Sequence, residues 1–202
     1  GAMLVHTGQA DAMITGYSHA YPNAIRPVLE IIKKEEGVTR IAAASIMLSK
    51  QGPIFLSDAT INIDPSAADL ANIALLTAKA VKFFGLEPSV AMLSYSNFGS
   101  ATSESTLKVR EAVAYLHKHH PDLVVDGEIQ ADFALNPDKI AKTYPFSKLN
   151  NGKGANALIF HNLEADNISY KLLKETQHLD TIGPVIMGLT KPIHITTIGS
   201  TV

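Results

Sequence analysis

The chain has 202 residues, 46% of them hydrophobic and 18% charged, with no cysteine and a formal net charge of −2. That length suits one large α/β domain or a domain with part of another. The near-neutral charge excludes the basic field of a nucleic-acid binder, no apolar run reaches the roughly 18 residues of a membrane span, and the lack of cysteine excludes disulfides, thiolate metal ligands and a cysteine nucleophile, as suits a reducing cytoplasm.

Gly1, Ala2 and Met3 read as the remnant of a cleaved tag, and the chain as a piece of a longer protein. Ala12 to Thr15 is predicted as a short buried strand ending at Gly16. Pro22 then opens a helix to about Glu36, with Ile25, Val28, Leu29 and Ile32 on its buried face. The apolar run Thr39 to Leu48, the turn from Lys50 to Pro53 and the run Ile54 to Leu56 form a hairpin. Asp64 and Pro65 lead into a strong helix, with Ser66 and Asp69 in capping spacing and Gly85 and Pro88 as stop signals.

Ser89 to Tyr95 is predicted as a buried strand, Ser103 to His119 as a helix and Leu123 to Val125 as a strand. Glu128 to Leu135 and Pro137 to Lys142 read as shorter helical pieces. A strand at Ala157 to Phe160 and a helix from about Glu164 to Gln177 follow, then strands near Val185 to Gly188 and Ile193 to Thr197. Strands alternating with helices imply an α/β fold, a mainly parallel sheet sandwiched by helices. Ligands of such sheets sit beyond the strand carboxyl ends, so the loops after Tyr95, Phe160 and Thr197 define one candidate surface.

Between the strand at Ser89 and the helix at Ser103, residues Ser94, Ser96, Asn97, Gly99 and Ser100 supply small donors. They form either a phosphate cradle or a Ser-rich helix cap. Lys108 and Arg110, farther down that helix, read as solvated charges. Lys171, Lys174 and His178 share one helical face that can meet a nucleotide phosphate or simply face solvent. Arg26 is open to the same two readings. His117, His119 and His120 lie at a fraying helix end without carboxylate partners, so no metal site is expected. Asp126 and Glu128 read as a carboxylate pair or, in the case of Asp126, as a helix cap.

Taken in order, GQADAMITG at Gly8, IRPVLEII at Ile25, Asn62 to Pro65, MLSYSNFGS at Met92, VDGEIQAD at Val125, NLEADNISYKLL at Asn162 and GPVIMGLTKPIH at Gly183 resemble the phosphate acetyltransferase and butyryltransferase family. The SNFGS wording with KPIHI is most similar to the carboxyl-terminal phosphotransacetylase-like domain of multidomain NADP-dependent malic enzymes. The resemblance implies a two-lobed phosphotransacetylase-like fold, related to isocitrate and isopropylmalate dehydrogenases. Residues 4–202 would hold one whole lobe and parts of the second, with a malic enzyme domain upstream.

The resemblance also implies a CoA crevice that uses Asn167, Tyr170, Lys171 and Lys174 and the turn Thr197, Ile198, Gly199, with Arg26 as the motif arginine. Family transferases carry a Ser-Arg-Gly turn there; here threonine replaces the serine and isoleucine the arginine. Loss of that cation removes stabilisation of phosphate and developing charge. The expected role is therefore an acetyl-CoA-binding, self-associating regulatory domain with no catalytic residues. NADP and a divalent metal belong to the parent's malic enzyme domain. A truncated catalytic phosphate acetyltransferase and a purely structural dimerisation module are the alternatives.

Overall fold

A computed structural model describes residues 1–16, 21–58 and 60–196. Its larger unit is a six-stranded sheet built from β2 (Ala42–Ser49), β3 (Gly52–Ser57), β4 (Ser89–Leu93), β5 (Val124–Ile129), β6 (Ala157–Ile159) and β7 (Thr181–Met187). The strand order is β5-β4-β6-β3-β2-β7. The pairs β5/β4, β4/β6 and β6/β3 are parallel, whereas β2 runs antiparallel to both β3 and β7. The sheet is thus mainly parallel, with the predicted hairpin at its antiparallel end. All five residues of β4 and the first six of β2 are buried. Covering on both faces explains why these strands read as continuous apolar runs.

One face is covered by α3 (Ala67–Phe83) and α4 (Glu104–His119). Ser66 starts α3 with a reciprocal cap: its Oγ accepts from the Asp69 amide at 3.2 Å, and Asp69 Oδ2 accepts from the Ser66 amide at 3.1 Å. Alanines 71, 74 and 78 let α3 approach the sheet closely, while Leu70 and Ile73 are fully buried, each contributing about 1.5–3 kcal/mol. The other face carries a second apolar cluster under the short helices α5 (Ala131–Ala134) and α6 (Pro137–Thr143), with Ala165 and Tyr170 of α7 (Leu163–Gln177) at its margin.

A smaller unit joins α1 (Ala2–His6), β1 (Met13–Thr15), α2 (Tyr21–Ile31) and β8 (Ile193–Ile195), with β1 and β8 parallel over their own core. Ala2 and Val5, within and just after the segment read as a tag remnant, are packed in that core. Two expectations are corrected here. The helix ends at Ile31, five residues early, because the backbone of residues 33–35 bonds across to 188–190: the Glu35 amide donates to the Gly188 carbonyl and the Thr190 amide to Lys33. Leu29 is exposed, so the buried face is narrower than predicted and is carried by Val28 and Ile32.

Replacing the cap residue, Ser66→Ala, is expected to lower stability by about 1 kcal/mol in chemical denaturation.

Candidate functional site

Because β3, β6, β4 and β5 are parallel, their carboxyl ends share one edge. There the loop 94–103 leaves β4 and Glu128 stands near the end of β5. The Glu128 side chain is fully buried. Its Oε1 accepts from Ser96 Oγ and the Gly99 amide, both at 2.8 Å, and from an Arg110 guanidinium nitrogen at 3.1 Å. Its Oε2 accepts from Arg110 Nε at 2.9 Å. Arg110 also reaches the Ala101 carbonyl, so one guanidinium ties α4, β5 and the loop together.

Gly127 makes this placement possible. Its φ is +149°, and a Cβ there would lie 2.5 Å from the Met92 carbonyl oxygen. Burial works against the charged form of Glu128, but Arg110, the Gly99 amide and Ser96 outweigh it and hold the carboxyl below its usual range. The Glu128 bond in turn raises Arg110.

The expected phosphate-cradling residues are therefore assembled around the protein's own carboxylate. The Ser94, Phe98 and Gly99 amides bond to β5, and those of Ser96, Asn97, Ser100 and Ala101 bond within the loop. Asn97 exchanges two side-chain bonds with Gln130, at 2.9 and 2.8 Å. The α4 N-terminus is closed by a reciprocal Ser103–Thr106 cap. Of the two sequence readings, the loop's geometry matches the cap. The other expected ligand contacts come from elsewhere in the chain.

Those candidates lie on α7, which follows the adjacent strand β6. Asn167 is in its second turn; Tyr170 packs at the edge of the lower core with its hydroxyl 3.3 Å from Thr181 Oγ1; Lys171 and Lys174 are exposed. Ile168 and Leu172 on the same helix are also exposed, at 65% and 61%. Arg26 belongs to the smaller unit, where it is exposed and 3.6 Å from Glu30. Thr197, Ile198 and Gly199 lie outside the described residues.

Several residues were misjudged or missed. Arg110 is no solvated charge. Glu128 and Ile129 belong to β5, not to a helix, and Asp126 and Glu128 serve different loops. Asp126 lies in the strand and caps no helix: its Oδ2 accepts from Ser147 Oγ and the Lys148 amide, both at 2.9 Å. At the same edge Asp58 accepts from the amides of Ala43, Thr60, Ile61 and Asn62 and from the Asn62 side chain. Asp166 is fully buried in α7 with neither carboxyl oxygen hydrogen-bonded. Lys108 reaches Asp64 at 2.6 Å. His117 Nε2 bonds the Val125 carbonyl, and His119 and His120 pack on Tyr115.

A concavity of about 690 Å³ lies between α3, β7 and β8. Phe83, Phe84, Val185 and Leu189 make it mainly apolar, and Thr196 is in its wall.

Three comparisons place the chain among known proteins. The family model described as phosphate acetyl/butaryl transferase matches residues 1–202. The chain is 40% identical over 195 residues to the phosphate acetyltransferase of Bacillus subtilis (strain 168), covering 96% of this chain and 59% of that protein. It is 41% identical over 199 residues to an NADP-dependent malic enzyme of Salmonella typhimurium, covering 98% of this chain and 26% of that protein. The crystal structure of a phosphotransacetylase from Streptococcus pyogenes superposes with a TM-score of 0.91 at 38% identity, over all of this chain and 61% of the other. The chain thus spans about 60% of the phosphotransacetylases and about a quarter of the malic enzyme.

Arg110→Ala, which leaves the buried Glu128 carboxylate without its cation, is expected to lower stability in chemical denaturation, and more than Arg110→Lys does. Since Glu128 is depressed in the folded state, its contribution is present above the unfolded carboxyl value and is lost as pH falls through the folded one. Glu128→Gln should therefore flatten the acid limb of the stability–pH curve.

Proposed function

The chain belongs to the phosphate acetyl/butaryl transferase family, and from that membership we propose that it is a regulatory acetyl-CoA-binding and self-associating domain of a multidomain NADP-dependent malic enzyme, acting in the cytoplasm. The observation that carries this reading is Ile198. It stands in the turn where the transferases of the resemblance place arginine, so the cation that would stabilise a phosphate nucleophile and the developing charge is replaced by an apolar side chain. Binding is less affected than chemistry. With the amides of the 94–101 loop engaged internally, the charged contacts to a CoA phosphate fall to Lys171 and Lys174, beside Asn167 and Tyr170. Arg26 and the turn Thr197 to Gly199 would complete the crevice from the other side.

On this reading the six-stranded unit is a complete lobe and the smaller unit part of a second. A malic enzyme domain upstream would carry the NADP and divalent-metal sites. Self-association is supported by exposed Ile168 and Leu172 on α7 and Ile182 on β7, which are costly to leave in water together. Acetyl-CoA would favour one arrangement of the crevice and shift the attached enzyme through the oligomer. A catalytic phosphate acetyltransferase is the second reading, favoured by the 40% identity to the Bacillus subtilis enzyme. Among the described residues, no helix is long and apolar enough to cross a membrane.

Calorimetric titration of the full-length protein with acetyl-CoA should give saturable binding, weakened roughly tenfold by Lys171→Ala or Lys174→Ala, the loss of one charge-assisted contact. No binding at millimolar acetyl-CoA would overturn the proposal.

A further inference from the structure

The junction between the end of β3 and the start of α7 holds an unusual set of oxygens. Among the described residues, the buried side-chain oxygens without a hydrogen-bond partner are Thr60 Oγ1 and both carboxyl oxygens of Asp166. They belong to two segments that the Leu163 amide joins to the Ile63 carbonyl at 3.0 Å. Asp166 is also the one fully buried residue of α7, whose apolar Ile168 and Leu172 face outward. Beside the partly buried Ala165 and Tyr170, the most deeply buried side chain of α7 is thus a carboxyl group without a hydrogen-bond partner.

We propose that Asp166 is a proton-operated latch: as the neutral acid it seats the first turns of α7 against the segment after β3, and on ionising it loosens that contact.

The surrounding charges determine this behaviour. Asp58, at the end of β3, accepts five hydrogen bonds and, acting only as an acceptor, offers Asp166 no compensating donor. His161, just before α7, is held below its usual value first by burial and then by Lys108, so it supplies no positive charge at neutral pH. Lys108 of α4 is committed to Asp64. Glu164, in the first turn of α7, is exposed and solvated. No cation among these groups compensates an Asp166 carboxylate, which would be a second buried negative charge beside Asp58. Burial, followed by the Asp58 charge, pushes Asp166 up to about 8.

The sign follows from which state holds the proton. Seated, Asp166 keeps its proton up to about pH 8; released into water, it loses it near the ordinary value of about 4. Between those limits each pH unit favours the released form about tenfold, and above pH 8 the effect levels off. The helix affected carries Asn167, Tyr170, Lys171 and Lys174, although the latch stands whether or not those residues bind acyl-CoA.

Two measurements on the full chain test it. Carbon-13 NMR should show the Asp166 carboxyl titrating near pH 8. Amide exchange in α7, corrected for intrinsic rates, should show protection falling about tenfold per pH unit from pH 5 to 7.5 and levelling above pH 8, with Asp166→Asn much flatter. A carboxyl titrating below pH 5 would overturn the proposal without any variant. So would an α7 protection profile unchanged by Asp166→Asn, or protection restored above pH 8 by millimolar K⁺ or Mg²⁺, which would make the junction a cation site.

Discussion

A carboxylate buried at the edge of a sheet must be neutralised or bonded, and the carboxyl edge of this sheet is arranged around that requirement. Glu128 meets it with Arg110, Ser96 and the Gly99 amide; Asp58 with four amides and an asparagine side chain; Asp126 with Ser147 and the Lys148 amide. Each solution fastens a loop to a strand. The Glu128 arrangement reaches farthest, because its Arg110 comes from α4 and so fixes how that helix, β5 and the loop after β4 meet. Gly127, whose backbone lies too close to Met92 for any side chain, is the local condition for it.

That arrangement governs what the edge offers a ligand. A loop whose Gly99 amide and Ser96 hydroxyl bond an internal carboxylate, and most of whose other amides bond β5 or the loop itself, is shaped yet holds few free donors. On the proposed reading, recognition passes to α7, where apolar and cationic groups remain in solvent. A helix with one fully buried residue, Asp166, and with Ile168 and Leu172 outward has less holding it than α3 or α4, which bury continuous faces. Elements of low local stability are those most easily biased by a ligand or a partner.

Much of this fold was legible because local and tertiary signals agree. The Ser66–Asp69 cap, the Gly52–Pro53 hairpin and the buried runs of β2 and β4 each carry their own cause. The helix after Pro22 was over-extended because nothing in its periodicity announces that residues 33–35 pair with 188–190, more than 150 residues away. The site was legible as a place but not as an arrangement. Ser96, Asn97 and Gly99 have the composition of an anion cradle, and only the register of β4 against β5 shows that Glu128 fills it. Asp166 lies in the first turn of α7, where an acid is ordinarily solvated; that it points inward depends on how α7 seats, which one sequence does not encode locally. Arg110 looked solvated for the same reason.

The central claim is that this member of the family senses an acyl-CoA and does not consume it. The most direct measurement is acetyl phosphate formation from acetyl-CoA and inorganic phosphate by the intact, CoA-binding protein. With isoleucine at position 198, no formation above the uncatalysed rate is expected. Turnover at ordinary enzymatic rates, of order 10 per second, would contradict the account and make the protein a transacetylase.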